Sequence, residues 1–198
     1  NFQWKKLRLN SNFSLPKLIG HRGVKDLKPE NTFESIFTAF DLGLECVEID
    51  VKISKDGIPL LLHDDTLDRT TDGSGLVCNY TFDEINKLDA GYYFYKSKTE
   101  IKVPSLSSIL DLVKKKQKYL NIELKPNKNH EELNVKKVLQ EIKQNSYDKI
   151  YFSSFDLSSC VSLKNSAPNL LCGFLNDDFN KINIKDTVDI CKKYNLFS

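Results

Sequence analysis

Apolar positions along the chain alternate between two periods. From residue 46 to 53 the alternation is strict: Val47, Ile49, Val51 and Ile53 share one face of an extended segment, and Glu48 and Asp50 share the other. Apolar runs at 17–20, 58–62, 119–125, 149–155 and 170–175 read as further strands. Between them, Phe33/Ile36/Phe37/Phe40, Leu106/Ile109/Leu110/Val113 and Val135/Val138/Leu139/Ile142 recur at helical spacing, and 157–164 and 187–194 read as two more helices. Asn31 with Glu34 three residues on predicts a capping box at the start of the first helix, and Gly43 ends it. Strand followed by helix, repeated, predicts a parallel sheet with right-handed crossovers. Six complete strands and a stub of a seventh are expected.

The rhythm breaks between 65 and 103. A loop at 71–75 leads to a short helix capped by Thr81 and Glu84, and then to the aromatic run Tyr92-Tyr93-Phe94-Tyr95. This segment is too small for its own core and reads as an insertion. Its aromatics suit a wall of a substrate cleft and a cover over the end of the sheet equally well. Residues 1–17 read as an N-terminal extension, with Phe2 and Trp4 able to dock, and 18–198 as one domain.

Composition narrows the partners. With 29 basic and 27 acidic residues the net charge is +2, which gives no ground for a nucleic-acid or membrane-surface partner. No stretch approaches the ~18 apolar residues of a transmembrane helix. Cys46, Cys78, Cys160, Cys172 and Cys191 are scattered without CxxC spacing, against a disulfide framework or a zinc site. They read mostly as buried thiols and favour a reducing, cytoplasmic compartment. His130, in a polar loop, reads as solvent-exposed. Lys114-Lys115-Lys116 reads as a solvated helix end that complements the helix dipole.

The candidate chemistry begins with Glu48 and Asp50, two acids at i and i+2, about 7 Å apart along a strand. They face either solvent, on an edge strand, or a cation, because two such close carboxylates do not both stay ionised cheaply. Four successive strands run into polar residues: His21-Arg22, Glu48/Asp50, His63-Asp64 and Glu123/Lys125. In a β/α barrel such ends meet at one face, whereas an open doubly wound sheet spreads them along a line. Convergence favours the barrel. Glu48, Asp50 and Glu123 then form an oxygen ligand set suited to Mg²⁺, Ca²⁺ or Mn²⁺ rather than zinc. With Arg22, Lys125 and two histidines, this is equipment for cleaving a phosphodiester.

The ordered motifs resemble the glycerophosphodiester phosphodiesterase family. They are His21-Arg22-Gly23, Pro29-Glu30-Asn31-Thr32, Glu48-Ile49-Asp50, Asp56-Gly57 ahead of a strand ending in His63-Asp64, Arg69-Thr70-Thr71, Ile122-Glu123-Leu124-Lys125 and Ser153-Ser154-Phe155-Asp156. The resemblance implies a TIM (β/α)8 barrel with a small insertion after strand three. It also implies hydrolysis of glycerophosphodiesters, small-molecule substrates, to glycerol 3-phosphate and an alcohol. It further implies His21 and His63 as the acid–base pair, with His21 the preferred base, and Glu48, Asp50 and Glu123 as ligands of a divalent cation. Arg22 and Lys125 would hold the phosphate, Glu30 would support His21 or Arg22, and a substrate hydroxyl beside the phosphate would attack first. The chain departs from the family pattern at its C-terminal end, where the rest of strand seven and strand eight are expected to be missing. Two alternatives share the fold: lysophospholipase D-like cleavage of lysophospholipids, and a non-catalytic binding module.

Overall fold

The computed structural model describes residues 16–177 and 183–197. Phe2 and Trp4 of the expected extension lie outside the described residues. The sheet is built around β2, Cys46–Ile53, all eight of whose residues are buried. It pairs in parallel with β1 (Gly20–His21) on one side and β4 (Tyr119–Leu124) on the other. Beyond β4 come β5 (Ile150–Ser154) and β6 (Cys172–Phe174), also parallel. A partner on each side removes the edge-strand reading of β2.

Alternation then decides what each face meets. Val47, Ile49 and Val51 of β2 share a buried apolar layer with Leu120, Ile122 and Leu124 of β4 and Phe152 of β5. Against it pack Ile36, Ala39 and Phe40 of α1 (Phe33–Asp41) and Ile109, Leu110 and Val113 of α4 (Leu106–Lys116). Val135 and Val138 of α5 (Glu131–Asn145) and Leu163 of α6 (Leu157–Ser166) complete it. The opposite face is polar. Register sets His21 beside Glu48, Asp50 beside Glu123, and Glu123 beside Ser153. Parallel strands with helices outside and polar side chains inside have the architecture of a β/α barrel. Among the described residues this arc has edges at β1 and β6, and Gly173 of β6 makes an isolated parallel bridge to Phe197. The final helix, α7, spans Ile184–Tyr194, three residues longer at its start than its apolar spacing predicts.

One strand departs from expectation. β3, Pro59–Leu61, runs antiparallel to the end of β2, pairing Val51 with Leu61 and Ile53 with Pro59. The sheet is therefore mixed. Only residues 54–58 separate the two strands, far fewer than the dozen or so that a parallel crossover requires, so the chain turns back as a hairpin. The insertion that follows packs on β3, whose Leu60, with the adjoining Leu62, joins Leu67, Val77, Ile85, Ala90 and Val103 in a second, smaller apolar cluster. It contains α2 (Phe82–Ile85), with the expected Thr81–Glu84 capping box, and α3 (Tyr92–Tyr95). None of the five cysteines forms a disulfide, and no helix among the described residues is long and apolar enough to cross a membrane.

Candidate active site

The site begins in the turn after β1. Arg22 and Gly23 both have left-handed backbone, φ +53 and +82. A Cβ on Gly23 would lie 2.5 Å from Ser35 Oγ and 2.6 Å from the Ser35 carbonyl carbon. That closeness lets Ser35 clamp the turn: its hydroxyl donates to the Arg22 carbonyl (3.0 Å) and accepts from Val24 N–H (2.8 Å). The Arg22 N–H, turned inward, donates to Glu48 Oε2 at 3.0 Å.

The first turn of α1 corrects the expected capping box. Thr32 caps the helix, its hydroxyl accepting from Ser35 N–H. Asn31 instead faces β2, donating from Nδ2 to Asp50 Oδ2 (2.8 Å) and accepting from Asp50 N–H at Oδ1 (3.1 Å). It holds one of the three acids in place. The Asn-x-x-Glu spacing concealed this role, and Thr32 with Ser35 three residues on is an equally good local start for the helix.

Glu48, Asp50 and Glu123 converge, each offering one carboxylate oxygen, and those oxygens lie within 4.8 Å of one another. All three residues are buried. Glu48 Oε1 and Asp50 Oδ1 have no hydrogen-bond partner, although a buried carboxylate oxygen is ordinarily satisfied. Burial, and next the Asp50 charge, push Glu48 up to about 8, and burial likewise raises Glu123. Cations lie on two sides. Arg22 Nε is 3.1 Å from Asp50 Oδ2, and Lys125 Nζ is 2.7 Å from Glu123 Oε1 and 3.9 Å from Asp50 Oδ1.

The two histidines reach the site by different routes. His21, at the end of β1, has Nε2 3.9 Å from Glu48 Oε2, and burial together with the Arg22 and Lys25 charges holds it below its ordinary value. His63 follows the antiparallel β3, and the Leu62 N–H bonds the Asp50 carbonyl, so the hairpin returns it to the level of the acids. The convergence expected of four parallel strand ends is thus made by three such ends and a hairpin. His63 Nδ1 is 2.7 Å from Asp64 Oδ1. Arg69 grips Asp64 with Nε (2.7 Å) and Nη2 (2.9 Å), and Glu30 with Nη1 (2.9 Å) and Nη2 (2.8 Å). Glu30 also accepts from Arg22 Nη1 at 2.8 Å. Burial works to raise Glu30, but the bonds from Arg69 and Arg22 outweigh it and leave the carboxyl below its ordinary value. The Arg69 bonds above all hold Asp64 well below the carboxylate range.

Beside this network, Tyr93 and Phe94 line a pocket of about 220 Å³ with Lys25, Pro29, Glu30 and Arg69. All four rings of α3 are at least 40% exposed, and two of them, Tyr93 and Phe94, wall this pocket. A larger groove, about 880 Å³, lies between α5 and α6 and contains none of the site's side chains. His130 lines that groove and is exposed, as expected.

Mixed β/α-barrel architecture and a mouth holding a buried carboxylate triad, two histidines and two fixed cations define a class of barrel protein equipped to act on an anionic substrate. Residues 21–190 match the model of the glycerophosphoryl diester phosphodiesterase family, and the chain belongs to it. A glycerophosphodiester phosphodiesterase of Caldanaerobacter subterraneus subsp. tengcongensis is 36% identical over 159 residues, which are 80% of this chain and 65% of that protein. Human glycerophosphodiester phosphodiesterase 1 is 43% identical over 90 residues, 44% of this chain and 27% of the human protein. A phosphodiesterase of Oleispira antarctica, solved with the product sn-glycerol-3-phosphate, superposes with a TM-score of 0.83 at 34% identity, covering 89% of this chain and 72% of that one. The Thermotoga maritima glycerophosphodiester phosphodiesterase gives a TM-score of 0.70 at 26% identity, covering 93% and 73%.

Proposed function

We propose that the protein hydrolyses glycerophosphodiesters to glycerol 3-phosphate and an alcohol, with a divalent cation and two histidines. The observation that carries this reading is the pair of buried oxygens without a hydrogen-bond partner, Glu48 Oε1 and Asp50 Oδ1, inside a three-carboxylate cluster. Anionic oxygens left without hydrogen bonds in a buried cluster fit an oxygen-loving ion such as Mg²⁺, Ca²⁺ or Mn²⁺. Glu48, Asp50 and Glu123 would hold that ion, which when bound supplies positive charge to the phosphoryl oxygens.

The chain's own residues do the rest. Arg22 and Lys125, already against the acids, bind the phosphate and oppose the charge that grows in the transition state. His21, held below its ordinary value, is neutral near pH 7 and takes the proton of the attacking hydroxyl. An ionised Asp64 can only accept, so it holds a proton on His63 Nδ1 and leaves Nε2 to face the leaving oxygen. With His21 as the base, His63 is the acid, in the form that carries a second proton on Nε2 and gives it to the leaving oxygen. Glu30 supports Arg22.

Release of choline from glycerophosphocholine, followed with and without EDTA, tests the reading. Chelation should abolish turnover, and His63→Ala should lower kcat by about 10²–10⁴-fold, the usual contribution of a positioned acid. Full turnover after either change sinks the mechanism. Faster turnover of lysophosphatidylcholine than of glycerophosphocholine would favour the lysophospholipase D reading.

A further inference from the structure

We propose that Arg69 is a positioning residue that joins the proton donor and the phosphate clamp into one rigid frame. The proposal rests on the functional reading above and adds to it a residue outside the acidic triad. Its ground is a continuous chain of short contacts. His63 Nδ1 meets Asp64 Oδ1 at 2.7 Å, and Asp64 takes Arg69 Nε and Nη2 at 2.7 and 2.9 Å. Arg69 Nη1 and Nη2 meet the two Glu30 oxygens at 2.9 and 2.8 Å, and Glu30 Oε1 takes Arg22 Nη1 at 2.8 Å. Arg22 in turn lies 3.1 Å from Asp50.

The two ends of this chain come from separate pieces of structure. Arg22 sits in the turn after β1, and His63 follows β3. Arg69, early in the insertion, bridges them through two carboxylates. Both edges of its guanidinium are engaged two-pronged, a geometry that a planar five-donor fork provides and an ammonium does not. The plain alternative is a surface ion pair, since the Arg69 side chain is 46% exposed. Exposed pairs contribute little to stability. Four short bonds from one planar guanidinium, to carboxylates whose other contacts are a candidate acid and a candidate phosphate clamp, constrain orientation instead. A small misplacement of catalytic groups is enough to slow chemistry strongly.

Three substitutions and one spectroscopic signal test the bridge. Asp64→Asn should act mainly on kcat, through the proton donor, and Glu30→Gln mainly on KM, through Arg22. Arg69→Gln should move both together, lowering kcat/KM by about 10²-fold. Glu30 and Asp64 meet only through Arg69 in this chain of contacts, so their losses should be non-additive in the parent protein and vanish as separate effects once Arg69 is Gln. Arg69→Lys keeps the charge and should fail to restore activity. The imidazole ¹⁵N spectrum, recorded where the ring is neutral, should show His63 as the Nδ1–H tautomer in the parent protein and as a mixture in Arg69→Gln. Rescue by lysine, additive losses, or an unchanged His63 tautomer would each overturn the bridge. Should Arg69→Gln fail to fold, Arg69→Lys carries the same kinetic and spectroscopic comparison. If the parent protein turns over no glycerophosphodiester, the functional reading falls and the tautomer alone decides the bridge.

Discussion

Asn31 shows how a residue's role can be hidden by its own neighbourhood. It adopts φ +56, a conformation asparagine tolerates better than most residues, and spends both side-chain groups on Asp50. Outer partners of this kind orient a ligand, and losing them commonly lowers metal affinity or activity by about 10–100-fold. Asn31→Gly keeps the left-handed backbone accessible and removes only the side chain, so it isolates that effect. Calorimetric titration with Mn²⁺ and measurement of kcat/KM should both show a loss in this range. Unchanged values would mean that β2 alone orients Asp50. His21, His63, Glu48, Asp50 and Glu123 were legible as candidates because each is a chemically unusual residue next to an apolar strand pattern. Asn31 and Arg69 were not, because their partners, Asp50 for one and Glu30 with Asp64 for the other, are supplied by distant parts of the chain. A polar residue just before a helix fits a cap, and an arginine in a loop fits solvent, until the fold is known.

At the level of elements, most of the architecture follows from periodicity. The β2 limits, the stripes of α1, α4 and α5, and the interruption after residue 64 all appear where the apolar spacing places them. The parallel direction assumed for β3 failed, yet the five-residue connection at 54–58 already excluded a crossover helix. Apolar runs reveal a strand but not its direction; connection length does. The turn after β1 gives a test of how tightly elements are fitted. Gly23 and Gly43 both have positive φ, +82 and +92, but a Cβ on Gly23 would strike Ser35 and Ile36 backbone within 2.8 Å, whereas Gly43 has nothing within 4 Å. Gly43→Ala should therefore cost only the left-handed penalty, about 1–2 kcal/mol. Gly23→Ala should cost more, by about 1–3 kcal/mol of additional strain, and displace Arg22 with it. Urea unfolding of the two variants, compared at unchanged m-value, measures the difference. Equal losses would show that Ser35 and α1 yield freely.

The whole molecule holds two opposed sets of carboxyl groups, and together they shape its stability against pH. Glu30 and Asp64, paired with Arg69 and Arg22, are depressed. Their contribution is present above the ordinary carboxylate pKa and is lost as pH falls through the lower folded values. Glu48 and Glu123 are raised, chiefly by burial, Glu48 to about 8. In the cation-free protein the folded state binds more protons than the unfolded state from the ordinary carboxylate pKa upward. Stability must therefore fall as pH rises toward 8. The depressed His21 opposes this only up to its unfolded value, near 6.5, so it cannot cancel the decline above that point. The protein in EDTA should accordingly be most stable in mildly acidic buffer and lose stability on both sides. Arg69→Gln should flatten the acid limb and lower stability across the rest of the range, leaving the slope of the alkaline limb unchanged. A divalent cation should do the reverse, raising Tm more at pH 8 than at pH 5, because binding to the folded state alone stabilises it and the carboxylates must first ionise. Thermal unfolding across pH 2–8 with EDTA, then with excess Mg²⁺ or Mn²⁺, reads both limbs in one experiment. A cation effect that is the same at both ends of the range would place the ion away from the buried acids.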